Sequence, residues 1–436
     1  MNTPDYGTIK EKRTIVRGVF MSRRLIATLI VFFILLALFV FAVIRAEHKN
    51  MDQLRKEYPE LSQEAFNLRS DALKLWAIRL PFGFVLPLLL LFTGFAQRVS
   101  VFAGERFGTI LSGLVVGLVI FGVIYLVNLP FSFYSSFILR HRYGLTDQTI
   151  LRWLELSLKG FLVNKGILSL FIWIPYMIIQ WKPDGWWLPM GILAVPVAIF
   201  MVFISPIVID PVFNNYSQLP QGQLRDDMET LLQRGEIGDA EIYVVDKSRD
   251  TRTMNAYMTG ILSGKRIVFW DTTLNNLEER EVLSIAAHEM GHYIRGHIWK
   301  GILGGSVGIF LVLYLMNLSA NWILEASGGA FGFRNIYNYA SLPLLLLLLN
   351  LFVFLGNPVT NGVSRYFERE ADLYQISLTQ DRESAVTAMT KLYEKSLGLP
   401  RSSELYKFWY SSHPPIEERI EFYRTEEFLT FGGEES

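Results

Sequence analysis

Two histidines four residues apart, with a glutamate beside the first, lie in AAHEMGHYIRGHIW, residues 286–299. If this segment is helical, about 40° of rotation separates His288 from His292, so both imidazoles can bind one ion. Glu289 then lies on the neighbouring flank of the helix. This is the HExxH pattern, in which the histidines bind zinc and the glutamate takes a proton from the attacking water. The segment therefore predicts zinc-dependent hydrolysis with Glu289 as the base.

A catalytic zinc usually has three protein ligands and one open position. His297 is the nearest candidate for the third, but it follows His292 by five residues, whereas the extended HExxHxxGxxH pattern requires six. Five residues turn a helix by about 140° from His292. We therefore expect His297 to be a surface or interface histidine and not a ligand.

A carboxylate in SRYFEREAD, residues 364–372, is the better third ligand. Glu368 and Asp372 share a helix face, so Glu368 could bind the metal while Asp372 hydrogen-bonds a ligand imidazole. Glu370 points about 160° away from that face. Without the histidines, each of these acids would be interpreted as a solvated helix charge.

The composition places this chemistry in a membrane protein with a sizeable polar portion. The chain has 436 residues, of which 51% are hydrophobic, and its 41 Lys+Arg balance its 41 Asp+Glu. The balanced charge gives no general attraction to nucleic acid. The absence of cysteine excludes disulfides, iron–sulfur clusters, a thiolate nucleophile and cysteine-ligated zinc.

A helix needs about 20 mostly apolar residues to cross the hydrocarbon layer. The sequence predicts seven such spans, near 25–44, 80–96, 107–129, 161–180, 187–209, 302–323 and 341–356. We expect the first to remain as an anchor, because it is too long for the core of a signal peptide. The predicted domains are five spans within 1–209, a first metalloprotease part at 210–300, two further spans within 301–356, and a second metalloprotease part at 357–436.

Both polar parts contain predicted secondary structure. AEIYVVD (240–246) and KRIVFWD (265–271) are rich in β-branched and aromatic residues and indicate strands of a small sheet. Apolar spacing predicts helices over 277–297 and from about 362 to 378. KRIVFWD precedes the zinc helix directly, so we expect it to pair with an extended peptide.

The Lys and Arg content of the loops predicts that both polar parts face the cytoplasm. The loops at 45–79 and 131–160 carry seven and four such residues, whereas those at 97–106, 181–186 and 324–340 carry two, one and one. The basic N-terminal tail opposes this orientation, because it would also favour the cytoplasm. Its basic residues are Lys10, Lys12, Arg13, Arg17, Arg23 and Arg24.

HEMGH, two further spans and then SRYFEREAD resemble the integral-membrane CaaX prenyl protease 1 family of zinc metallopeptidases, which includes the HtpX-type proteases. The resemblance extends over essentially the whole chain, in order and spacing. Its other motifs are HRYGLTD (141–147), DPVFNNY (210–216), NAYMTG (255–260), KRIVFWDTTL (265–274) and SHPPIEERI (412–420).

The resemblance implies a mainly α, gluzincin-like membrane protein in which seven helices form a barrel-like chamber with one zinc ion at its cytoplasmic end. It also implies a role for each matching residue. The implied zinc ligands are His288, His292 and Glu368, and the implied base is Glu289. Asn255 would bind the substrate backbone, and His413 would lie near the reacting carbonyl. Asp372 would hydrogen-bond a zinc-binding imidazole.

The expected activity is cleavage of peptides or proteins that are membrane-associated or lipidated, in the cell inner membrane or the endoplasmic reticulum, with membrane lipid as a further partner. The alternative enzyme is an HtpX-like quality-control protease, although seven spans favour the CaaX branch. The alternative from another class is a metal-regulated channel or transporter. That class should carry several charged residues within its spans, where only Lys165 is found.

Overall fold

A computed structural model describes residues 21–260 and 264–429. Within those ranges seven helical segments are long and apolar enough to cross a membrane, which confirms the predicted number. They are Arg23–Glu57, Gln63–Phe92, Thr109–Arg142, Ile150–Trp181, Trp187–Phe213, His297–Ala326 and Tyr339–Thr379. Four basic residues of the N-terminal tail lie outside the described ranges, namely Lys10, Lys12, Arg13 and Arg17.

The helices are numbered in chain order. They are α1 Arg23–Glu57, α2 Gln63–Phe92, α3 Phe95–Arg106, α4 Thr109–Phe133, α5 Leu139–Arg142, α6 Ile150–Phe161, α7 Ile167–Phe171, α8 Trp173–Trp181, α9 Trp187–Ile204, α10 Asp210–Phe213, α11 Gln223–Arg234, α12 Asp271–Asn276, α13 Glu279–Ile294, α14 His297–Ala326, α15 Leu342–Thr379, α16 Arg382–Lys395, α17 Glu404–Tyr410 and α18 Ile416–Thr425. Several helices are longer than the predicted spans, because hydropathy detects only their apolar centres. The expected loop at 97–106 is helical in α3.

Single π-helical turns interrupt three of the spans without ending them. They occupy Tyr134–Ile138, Leu162–Gly166 and Ser205–Ile209 in the third, fourth and fifth spans. A π-turn adds one residue to a helical turn and shifts the faces that follow it. Each of these spans therefore presents different faces on the two sides of its π-turn.

The small sheet has four strands, β1 Tyr216–Gln218, β2 Glu241–Val245, β3 Ala256–Thr259 and β4 Arg266–Trp270. Their order is β1-β2-β4-β3, with β2 and β4 parallel and the outer pairs antiparallel. Both predicted strands are confirmed as β2 and β4. The expectation that KRIVFWD pairs with a peptide is wrong, because β4 already has a neighbour on each side. The edge strand beside it is β3.

Two large hydrophobic cores lie within the described residues, beside two smaller clusters. Apolar side chains of the spans form one, including Leu91, Ile120 and Leu344. The sheet packs against α13 to form the other, around Ile267 and Met290. Because α15 belongs to the seventh span and also packs on α13, it joins the two cores.

The helix predicted over 277–297 is present but is shorter at both ends. It ends as α13 at Ile294, and Gly296 adopts a φ of +66° before α14 begins at His297. That backbone conformation favours glycine, which has no Cβ. The second predicted polar helix, by contrast, is continuous with its span, because α15 runs unbroken for 38 residues.

Candidate metal centre

The HExxH helix starts at a well-defined N-terminus. The Glu278 side chain accepts a hydrogen bond from the backbone of the third helical residue, Glu281, and the Glu281 side chain accepts one from Glu278. Lys391 also pairs with the Glu281 carboxylate at 2.7 Å. This capping box satisfies amide groups that have no partner within the helix. It therefore fixes the start of α13 at Glu279, nine residues before His288.

Gly291 allows α13 to lie very close to α15. A Cβ at this position would lie 3.0 Å from Ala371 Cα and 3.1 Å from its carbonyl oxygen. Ala371 follows Glu368 by one helical turn and directly precedes Asp372. The glycine between the HExxH histidines thus brings the two acids on α15 within reach of the imidazoles.

Three side chains from these two helices converge. The Nε2 atoms of His288 and His292 are 3.2 Å apart, and each lies 3.4 Å from an oxygen of Glu368. One ligand atom from each residue lies within 4.8 Å of the ligand atoms of the other two. Glu368 is only 5% exposed, and its buried Oε2 atom has no well-aligned hydrogen bond among the described residues, although His288 Nε2 lies 3.4 Å away. Two imidazole nitrogens and an unsatisfied carboxylate at these separations could hold a metal ion.

Asp372 lies behind the first imidazole and is held by a buried network. Its Oδ1 atom is 3.0 Å from His288 Nδ1. Arg419 donates to both oxygens of Asp372, and the Tyr423 hydroxyl donates to Oδ1 at 2.7 Å. Burial alone would lower the pKa of Arg419, but the charge of Asp372 raises it above its usual value. The guanidinium therefore remains charged.

The same carboxylates favour positive charge at His288. Burial would lower the pKa of this imidazole, but hydrogen bonds with Asp372 and Glu368 outweigh that effect and raise the pKa to about 10. A field that stabilises a bound proton also stabilises a bound metal cation. The electrostatics therefore agree with the geometry of the donor atoms.

His297 does not lie where helical periodicity predicts. It is 6% exposed, and its Nδ1 atom lies 2.9 Å from His292 Nδ1. Its Nε2 atom lies 3.1 Å from Oε2 of Glu370. The expectation of a histidine facing away from the site is wrong because the helix breaks at Gly296, so the assumed rotation does not apply. His297 contacts the nitrogen of His292 that faces away from Glu368.

Glu289 and His413 lie beside this cluster, and Asn255 lies on an element that packs against α13. The Glu289 carboxylate has no hydrogen-bond partner among the described residues, and burial raises its pKa. His413 places Nε2 3.3 Å from Glu368, while Ser412 contacts its Nδ1 atom. Partial desolvation lowers the pKa of His413, although most of its side chain is exposed. Asn255 directly precedes β3, which packs on α13.

Arg419 and Tyr423 were not identified from the sequence. Arg419 lies within SHPPIEERI, and Tyr423 follows it by four residues, one helical turn later. The available signal was electrostatic, because a carboxylate placed behind a metal ligand needs a compensating cation when it is buried. A basic residue in a motif that already contained His413 was the natural candidate.

The fold and the site define an integral-membrane metallopeptidase, in which an HExxH helix crosses a carboxylate-bearing helix that continues a membrane span. The family model described as Peptidase family M48 matches residues 218–427, and that described as CAAX prenyl protease N-terminal, five membrane helices, matches residues 52–215. The chain belongs to peptidase family M48 and is a multi-pass membrane protease of the CAAX prenyl protease type that acts on peptides or proteins.

Similar proteins cover much of the chain. A metalloprotease of Bacillus subtilis (strain 168) is 35% identical over 285 residues, which is 65% of this chain and 67% of that protein. The CAAX prenyl protease 1 homolog of Homo sapiens is 28% identical over 344 residues, or 69% and 71% of the two chains. The crystal structure of S. mikatae Ste24p shares the fold, with a TM-score of 0.76 and 22% identity over 89% of this chain and 98% of that one.

Proposed function

We propose that this protein is a zinc-dependent endopeptidase in which His288, His292 and Glu368 hold the metal and Glu289 is the general base. The convergence of the three donor atoms carries the proposal. Two imidazoles and one carboxylate, with one position left open, are a donor set typical of catalytic zinc. Zinc supplies Lewis acidity and lowers the pKa of the attacking water.

Protein side chains would accept the proton of the attacking water and stabilise the charge that develops on the carbonyl oxygen. Glu289 is free to accept the proton of the water, and its raised pKa helps it to retain that proton before passing it to the leaving nitrogen. His413, whose Nε2 atom lies 3.3 Å from Glu368, would donate to the oxygen of the reacting carbonyl. One such donor contributes about 3 kcal/mol to stabilising the transition state.

The substrate would bind as an additional strand on β3. Within the described residues β3 pairs on one side only, with β4. The Asn255 side chain at its start accepts a hydrogen bond from the Ala256 amide, which leaves Nδ2 without a partner among the described residues. A free strand edge and a free amide donor are the groups that hold an extended peptide backbone.

A cavity beside the site supports a membrane-associated substrate. It has a volume of about 680 Å³, and its lining includes Met254, His413 and Arg419 together with Leu68 and Arg69 of α2. Because α2 belongs to the second span, a peptide in this cavity would lie between a membrane helix and the catalytic residues. The size is within the usual range of roughly 300–1,000 Å³ for ligand pockets.

The α1–α2 pair is fixed on the catalytic part by a buried contact. Glu47 is fully buried and accepts hydrogen bonds from Arg69 at 2.7 Å and from the Ser403 amide at 2.7 Å. Arg69 also lies over the ring of Tyr406, at 3.9 Å from its centroid. We infer that these contacts hold the α2 wall of the cavity in place.

Relatives named CAAX prenyl proteases favour a lipidated substrate, such as a prenylated protein that loses its C-terminal residues. The positive charge of the loops at 45–79 and 131–160 supports a cytoplasmic catalytic part, in the cell inner membrane or the endoplasmic reticulum. Cleavage of misfolded membrane proteins is the second candidate. The free strand edge favours it equally, because main-chain pairing does not require a lipid.

Metal analysis and cleavage of paired peptides test the proposal. The purified protein should contain one zinc per chain and cleave a farnesylated peptide faster than the same peptide without lipid. Glu289→Gln should retain the zinc and lose cleavage, whereas Glu279→Gln, at the start of the same helix, should retain both. Equal cleavage of the two peptides would favour quality control. Full activity of Glu289→Gln would refute the mechanism.

A further inference from the structure

The His297 side chain lies between α13 and α15, although it is not a candidate metal ligand. One of its nitrogens faces His292 at 2.9 Å and the other faces Glu370 at 3.1 Å. Its ring stacks on Phe367, with centroids 4.3 Å apart and planes 9° from parallel. The side chain is 5% exposed. Both polar atoms and one ring face are thus engaged, and the imidazole has a single well-defined orientation.

The proton positions in this contact follow from the proposed function, on which the inference rests. If His292 binds metal through Nε2, its Nδ1 atom must carry the hydrogen. It then donates to Nδ1 of His297, which must be the bare acceptor nitrogen. The hydrogen of His297 is consequently on Nε2 and is donated to Glu370. Every donor in the chain from His292 to Glu370 therefore has an acceptor.

We infer that His297 is a positioning residue, which acts with Glu370 to fix the tautomer and ring orientation of His292 as a metal ligand. Asp372 makes the corresponding direct contact with His288 at 3.0 Å. Glu370 reaches His292 only through the second imidazole, because it is two residues from Glu368 and lies on another face of α15.

The inference links the metal centre to both of the last two spans. His297 is the first residue of α14, the helix of the sixth span, and Glu370 lies on α15, the helix of the seventh. The Gly296 turn, with its φ of +66°, brings the start of α14 back against the site.

His297→Phe tests this role, because phenylalanine retains the ring stack on Phe367 but removes both nitrogens. Outer partners of metal ligands typically contribute 10- to 100-fold to affinity, so the zinc dissociation constant should rise by about 10- to 100-fold. It is measured in detergent-purified full-length protein by competition with a chelator. His297→Asn, whose side-chain oxygen can accept from His292, should lose less affinity. The visible spectrum of the Co²⁺-loaded protein should change in His297→Phe more than in His297→Asn.

Lys300→Met is the matched control. Lys300 is the other residue that contacts Oε2 of Glu370, at 3.2 Å, and lies one turn after His297. It should leave zinc affinity within about twofold of wild type, since surface ion pairs contribute little. Equal zinc affinity in His297→Phe and wild type would overturn the inference, as would equal losses in His297→Phe and Lys300→Met. If Glu368→Ala binds zinc as tightly as wild type, the proposed function itself fails.

Discussion

Replacing Gly291 by alanine should separate the two helices that carry the proposed metal ligands. The new methyl group would lie 3.0 Å from Ala371 Cα and 3.1 Å from its carbonyl oxygen. Carbon atoms in contact are normally about 3.5–4.0 Å apart, so α15 must withdraw by about 0.5 Å. Both atoms belong to the backbone and cannot rotate away. Glu368, one turn before Ala371, would move with them.

The effect on metal binding should exceed the effect on folding. Alanine favours the helix by about 0.5–1 kcal/mol over glycine, while overpacking costs about 1–3 kcal/mol. These terms partly cancel. Metal sites, however, tolerate only about ±0.2 Å in ligand distances, so a shift of about 0.5 Å should weaken zinc binding about tenfold or more. Chelator competition measures the dissociation constant, and a thermal melt follows the folding of the same sample.

Gly362→Ala is the control for this substitution. Gly362 lies on α15, where a Cβ would meet only the end of the Arg365 side chain at 3.8 Å. Zinc affinity should be unchanged and the thermal melt equal or higher, because alanine favours a helix. If Gly291→Ala bound zinc as tightly as wild type, close helix approach would not be what sets the distance from Glu368 to the histidines.

Three further predictions concern the groups around the metal. Arg419→Met should destabilise the protein by about 3–5 kcal/mol, because it leaves the buried charge of Asp372 without its guanidinium partner. Adding Asp372→Asn should restore part of the lost stability in a thermal melt. Strictly additive losses in the double variant would contradict the pairing. Asn255→Ala should raise KM for peptide more than it lowers kcat, because it removes a donor to the substrate backbone; an unchanged KM in steady-state kinetics would exclude that role. Dialysis against a chelator should abolish peptide cleavage. Added Zn²⁺ should restore cleavage in the wild-type protein but not in Glu289→Gln. Activity of the metal-free protein would contradict metal dependence.

Local patterns in the sequence predicted the parts that depend on nearby residues. Seven apolar runs predicted seven membrane helices, and two β-branched segments predicted two strands, because helix and strand periods are read over a few residues. The four-residue spacings of His288 with His292 and of Glu368 with Asp372 predicted shared helix faces. The structure brings these four residues together on two crossing helices.

Only the tertiary structure decided which groups complete the site. Strand order made β3 the free edge, because the pairing of β4 on both sides depends on strands distant in sequence. Arg419 reaches Asp372 from 47 residues away, and no periodicity spans that separation. His297 contacts His292 because one residue, Gly296, leaves the helical conformation. A single change in backbone conformation redirects every side chain after it, so rotation counted along one helix could not predict this contact.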